Sequence, residues 1–231
     1  MTTSRSGTSM RCQSLADAVL LPPEYHLQYG ACYAYSPKGK SHISQRSRLL
    51  CARVKNGHPR WLKSYVANVY QEIAQQRCFR DFFKEHTLLV PVPQYLTPAR
   101  ISLWVARRLA FTLQEAGLGG EVWTGLRRVI SVERSSSAWM WQRPTVGQHY
   151  RSFAVVPSNR HPLDIILVDD VITKGRTLVA AAMRLREAFP TAAIRAFTLV
   201  RTMGFVPDVE RLFDPCQGAI RWNGQDAYRD P

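Results

Sequence analysis

The segment Ile165-Ile166-Leu167-Val168-Asp169-Asp170-Val171-Ile172-Thr173-Lys174-Gly175-Arg176-Thr177-Leu178 decides how the rest of the chain is read. Ile165 to Val168 are aliphatic without alternation, the signature of a parallel strand covered on both faces. From Thr177 the period changes. Leu178, Ala181, Ala182, Leu185 and Phe189 recur at helical spacing, with Arg184, Arg186 and Glu187 on the other side. The stretch from Val171 to Arg176 therefore joins the carboxyl end of a buried strand to a helix start, which is where open α/β sheets bind ligands.

The residue types in that loop suit one chemistry. A helix start presents unpaired N–H groups and the positive end of its dipole, and both favour an anion. Gly175 lets backbone approach such an anion, and the Thr173 and Thr177 hydroxyls can donate to it. Asp169 and Asp170 are acceptors when ionised, suited to the vicinal hydroxyls of a ribose or to the water shell of a magnesium ion. Together they read as a ribose 5-phosphate site. The plainer alternative is a strand end with a helix-capping threonine and two solvated aspartates.

The run V-D-D-V-I-T-K-G-R-T resembles the phosphoribosyl pyrophosphate (PRPP) loop of type I phosphoribosyltransferases, with Asp169, Asp170, Thr173, Gly175 and Thr177 in its defining slots. The resemblance implies that Ile172, Thr173, Lys174, Gly175, Arg176 and Thr177 hold the 5-phosphate. It also implies that Asp169 and Asp170 serve the ribose hydroxyls and the magnesium shell. A second aliphatic run, Leu88 to Val92, ends in P-V-P-Q-Y, and P-V-P before an Arg-containing helix is similar to the ComF-like group of that family. By that likeness Pro93, Gln94, Tyr95 and Arg100 meet the pyrophosphate. The R-G-F-N-like segment usual in the group is replaced here by Ala99-Arg100-Ile101-Ser102-Leu103-Trp104, and its zinc-ribbon cysteines are absent.

Between these landmarks, Ile101, Val105, Leu109 and Leu113 set a helix from Pro98 to about Ala116. Residues 127 to 143 fall where the family carries a flexible lid over the anomeric carbon. Arg127, Arg128 and Arg143 would there face the departing pyrophosphate, Arg143 being the catalytic candidate; each could equally be a solvated surface arginine. His149 is either a general acid or a structural hydrogen-bonding group. Ala193 to Val200 is a further buried strand. Turn signals at Asp214-Pro215 and Asn223-Gly224 suggest a short edge hairpin.

The expected fold is α/β, a doubly wound, mostly parallel sheet of the type I phosphoribosyltransferase kind with an N-terminal hood. Residues 1–85 would form the basic hood, 86–203 the core and 204–231 an edge hairpin or tail. Within the hood, residues 22 to 41 are Tyr-rich and read as a short strand or hairpin, and Pro59 to Gln76 as an amphipathic helix. Apolar residues make up 45% of 231, enough for one substantial core.

A formal net charge of +14 implies attraction to polyanions. It concentrates between Lys38 and Lys63, where eight lysines and arginines occur and no acid. Arg46, Arg48, Arg53 and Lys55 are candidates for nucleic-acid contact; a solvated helix face or a surface for the pyrophosphate are the other readings. Five scattered cysteines with no C-x-x-C pair suggest reduced thiols in a cytoplasmic protein. The apolar stretch Leu15 to Leu21 is too short and broken for a signal peptide, and no run is long enough to cross a membrane.

Two functions follow as expectations. One is transfer of a ribose 5-phosphate group from PRPP, with magnesium, to a nitrogen acceptor. The other is a non-catalytic or effector module that binds PRPP or a nucleotide and acts with nucleic acid or a partner protein, in DNA uptake or anti-phage defence (a retron component, for example). A homo-oligomer and no membrane partner complete the expectations.

Overall fold

The computed structural model describes residues 21–75, 77–94, 104–130, 143–204 and 206–230. The chain is α/β, built on a mixed, mostly parallel seven-stranded sheet in the order β3-β2-β6-β7-β1-β8-β9. In chain order its strands are β1 (Tyr25–Tyr35), β2 (Leu88–Pro91), β3 (Glu121–Val122), β6 (Asp164–Ile172), β7 (Ala193–Thr202), β8 (Phe213–Trp222) and β9 (Ala227–Asp230). A separate two-stranded antiparallel pair joins β4 (Leu126–Arg128) to β5 (Phe153–Val155).

The helices cover both faces. On one face α1 (His42–Lys55), α2 (Pro59–Ala74) and α3 (Val105–Glu115) bury Leu50, Val54, Leu62, Val66, Val69, Leu109 and Leu113 against Leu89, Ile166, Val168, Phe197 and Leu199. On the other, α4 (Val146–Ser152) and α5 (Arg176–Ala188) bury Tyr150, Leu178, Ala181, Ala182 and Leu185 against Val90, Ile165, Leu167 and Ala196. Consecutive residues of β6 thus go to opposite cores, which explains its unbroken aliphatic run. Pro59 starts α2, and Thr145 and Gln148 form a reciprocal capping box on α4.

In the N-terminal segment the Tyr-rich stretch forms one strand of 11 residues. β1 is an interior strand, paired parallel to β7 and antiparallel to β8, and α1 and α2 that follow it cover a face of the sheet. Its central residues from Tyr29 to Ala34 are buried for that reason. In the tail, Asn223-Gly224 does turn β8 into β9, with the Asn223 side chain accepting from the Gln225 and Asp226 N–H groups and Gly224 at φ 85°. Asp214-Pro215 is not a turn but lies inside β8, where pairing with β1 slips by one residue between Ala31–Cys216 and Tyr33–Phe213. Proline is accommodated at such a bulge because no ladder donor is required there.

Among the described residues no helix is long and apolar enough to cross a membrane.

Candidate functional site

The direction of the connections fixes where a ligand can sit. From β2 the chain passes through α3 to β3, on one side of the sheet. From β6 it passes through α5 to β7, on the other side and along the opposite face. The order reverses between β2 and β6, and in open α/β sheets ligands bind in the crevice beyond the carboxyl ends of two such neighbours. Register sharpens the picture. Pairing of β6 with β2 stops at the Val92 N–H to Val168 carbonyl bond (2.9 Å), whereas pairing with β7 continues to Ile172 opposite Arg201. Asp169, Asp170 and Val171 therefore extend past the end of their β2 neighbour. Pro93 and Gln94 leave β2 at this point, capped by the Trp104 indole N–H on the Val92 carbonyl at 2.7 Å.

The acids lie within the strand rather than after it, since β6 runs to Ile172. The two acids are adjacent in the strand, and a side-chain hydrogen bond with Asp170 acts on the Asp169 carboxyl. The Arg128 charge acts on Asp169, and burial, with Asp170 nearby, raises the pKa of the Cys51 thiol of α1. Burial, with Asp170 next to it, pushes the Asp169 carboxyl well above the usual carboxylate range; the Asp170 N–H and the Arg128 charge pull the other way. The Asp170 carboxylate accepts the Val171 N–H at 2.9 Å.

Beyond Ile172 the connection is short. Gly175 is the N-cap of α5, in the left-handed region at φ 85°, and a Cβ there would sit 2.7 Å from Ile220 of β8. Glycine is thus required by backbone conformation and by packing. The tight approach at this residue is to Ile220. The Thr173 hydroxyl lies 3.3 Å from that of Thr202, and the Thr177 hydroxyl 3.3 Å from His149 Nε2. Lys174 and Arg176 both reach Asp226, just after the β8–β9 turn: Lys174 Nζ at 2.7 Å, and Arg176 through Nε at 2.5 Å and an outer nitrogen at 2.8 Å. Arg176 also donates to the Arg143 and Pro144 carbonyls at 3.3 Å. What remains for an anion at this turn is the backbone N–H groups of the first helical turn and the two threonines.

Of the three arginines around the expected lid, Arg128 is the buried one. It is 8% exposed, donates to Ser152 Oγ at 2.6 Å, and lies over the Phe153 ring at 4.4 Å. Burial lowers its pKa to about 10, which leaves it charged at neutral pH, and Asp169 is its nearby countercharge. Arg127 and Arg143 are exposed, Arg143 contributing its carbonyl to Arg176. His149 is buried, and burial first, then Arg128 and Arg176, lowers its pKa to about 3. A ring that stays neutral at pH 7 does not serve as the general acid considered for it; it hydrogen-bonds Thr177 instead. Tyr95, Arg100 and most of the lid lie outside the described residues. The Oε1 of Gln94 is buried with no partner among the described residues.

Compared with known proteins, the chain matches no family model and no curated protein.

Asp226 and Arg128 are what sequence reading missed or failed to single out. Asp226 carried no signal at all, being 50 residues from Arg176 in a polar turn. Arg128 was one of three equivalent arginines until the β4–β5 pairing buried it. In the basic stretch, Arg46, Arg53 and Lys55 are exposed, with Arg53 over the Trp61 ring at 4.1 Å. Arg48 is turned inward to the Gly39 carbonyl at 2.7 Å.

Proposed function

We propose that the crevice between β2 and β6 binds a ribose 5-phosphate carried by PRPP or a related nucleotide. The observation that carries this reading is the coincidence of the V-D-D-V-I-T-K-G-R-T loop with the reversal of strand order. The 5-phosphate is held by the backbone at Thr173 to Thr177 and the two threonine hydroxyls, and the ribose hydroxyls by Asp169 and Asp170. Arg128, charged and desolvated beside Pro93, faces the pyrophosphate; its Nε lies 3.5 Å from the Pro93 carbonyl.

A magnesium ion fits this set. A carboxyl pushed up by burial and a like-charged neighbour is relieved by a cation, and Asp169 and Asp170 are the residues that would hold it. An ion held by these two carboxylates would take its other ligands from phosphates and water. When bound, it supplies charge neutralisation for the pyrophosphate.

The reaction we propose is transfer of the phosphoribosyl group to a nitrogen acceptor. The bond from the anomeric carbon to pyrophosphate oxygen breaks, a bond to nitrogen forms, and the acceptor loses a proton. Pyrophosphate release from PRPP and magnesium, measured across a panel of nitrogenous bases, tests it. Release stimulated by one base class supports transfer. Tight PRPP binding without release from any base favours the effector module instead.

A second reading keeps one observation of its own. The exposed Arg46, Arg53 and Lys55 face solvent on α1, beside Trp61, and suit a nucleic-acid backbone. If that surface works so, neutralising these three abolishes a salt-steep association with nucleic acid, while neutralising Arg48 leaves it nearly unchanged.

A further inference from the structure

The sheet carries a second polar cleft far from the crevice. It measures about 440 Å³ and lies between residues 77–82 and the strands β1, β7 and β8, with Gln28, Arg77, Arg80, Asp81, Arg195 and Gln217 in its wall. Arg195 stands near the start of β7, and Thr202, opposite the phosphate-type loop, at its end. Thr202 is seven residue steps along the strand from Arg195, about 23 Å at the usual rise per residue.

The cleft is preformed. Phe79, Phe82 and Phe83 pack on Phe197 at ring separations of 5.9, 6.3 and 5.0 Å. Gly30 beneath them leaves no room, since a Cβ would lie 2.9 Å from the Phe79 ring. Anchoring the segment through its aromatic residues leaves Arg80 and Asp81 exposed between them, and Arg77 exposed just before them.

The charges are only partly satisfied. Arg80 has no ion-pair partner among the described residues, and Arg77 meets Glu72 at a loose 3.6 Å. Arg195, with its side chain 14% exposed, shares one terminal nitrogen with Asp164 at 3.0 Å, and the other reaches the Asp81 carbonyl at 3.5 Å. Its Nε is buried without an acceptor. A buried guanidinium donor left unpaired is costly, and a cleft that collects three guanidinium groups around it is chemically complementary to an oxyanion. The Gln28 amide and the Asp81 carboxylate supply further polar groups, while the Gln217 amide donates to the Cys78 carbonyl in the same wall.

We propose that this cleft is a second anion site, taking the phosphate group of a small molecule on Arg80, Arg77 and Arg195. The assignment is independent of the crevice. The test is the arginine Nε–H NMR spectrum of the ¹⁵N-labelled chain, titrated with inorganic phosphate in a chloride buffer, with the Arg195 signal assigned from Arg195→Lys. To weaken phosphate binding at the crevice, the same titration is run on the Thr173→Val, Thr177→Val chain. The expected result is a saturable shift of the Arg195 signal in both proteins, with affinity reduced at least five-fold by Arg80→Gln, an exposed change that leaves the aromatic anchor intact. No saturable shift, or a shift that Arg80→Gln does not weaken, overturns the proposal. Loss of PRPP binding at the crevice would leave the result unaffected.

Discussion

Asp226 grips Arg176 through both carboxylate oxygens, at 2.5 and 2.8 Å, and so ties the first residue of α5 to the turn between β8 and β9. Both side chains are about one-fifth exposed. Partial burial works against the ionised acid, but hydrogen bonds from Arg176, Lys174 and the Ala227 N–H prevail and hold Asp226 well below the usual carboxylate range. The entry to the candidate phosphate loop is thereby set by a carboxylate from the far end of the chain.

Asp226→Asn should therefore cost about 2 kcal/mol, the size of a partly buried charge-assisted pair, read by urea denaturation. The loss should shrink as pH falls. Asp226 has a depressed folded-state pKa, so its contribution is complete above the unfolded value and disappears as pH drops through the folded one.

Gly175→Ala should destabilise by about 2–4 kcal/mol, combining a left-handed backbone with a Cβ placed 2.7 Å from Ile220. Combined with Ile220→Ala, the cost of the glycine change should fall to about 1–2 kcal/mol, the backbone part alone. Equal costs in both backgrounds would show that Ile220 is not the obstacle.

His149 sets a pH dependence of opposite origin to a paired histidine. Its folded pKa of about 3 lies below the ordinary 6.5, so the unfolded chain takes up the proton first. No penalty exists above pH 6.5, and stability falls at about 1.4 kcal/mol per pH unit as pH drops from there towards 3. His149→Gln should flatten the stability profile in that window by about this slope, measured by denaturation at stepped pH.

Arg128→Met removes the cation beside Asp169 while keeping much of the buried volume. Pyrophosphate affinity, measured calorimetrically with magnesium, should fall at least ten-fold, whereas Arg127→Gln, an exposed neighbour, should change it less than two-fold. Similar effects from the two variants would remove Arg128 from the site.

The β6–α5 unit was legible because its information is local. An aliphatic run without alternation, a glycine before a helical period and paired acids all fall within fourteen residues. The place of β1 was not legible. Its neighbours are β7 and β8, more than 150 residues away, and nothing in Tyr25–Tyr35 names them. Asp214-Pro215 carries the composition of a turn, yet a bulge uses the same residues for the same reason, a missing donor. The acids are legible, but their place within the strand is not, because whether they end it or continue it depends on β7 pairing through to Ile172. The arginines around the lid differ in burial alone, which is a tertiary property.

Calorimetric titration with PRPP and magnesium of the parent chain and of the Asp169→Asn, Asp170→Asn chain bears most directly on the crevice between β2 and β6. Saturable binding by the parent, weakened at least a hundred-fold in a variant that keeps its cooperative unfolding, is the predicted result. Equal affinity in the two proteins, or no binding by the parent, would contradict the assignment of this crevice to a ribose 5-phosphate.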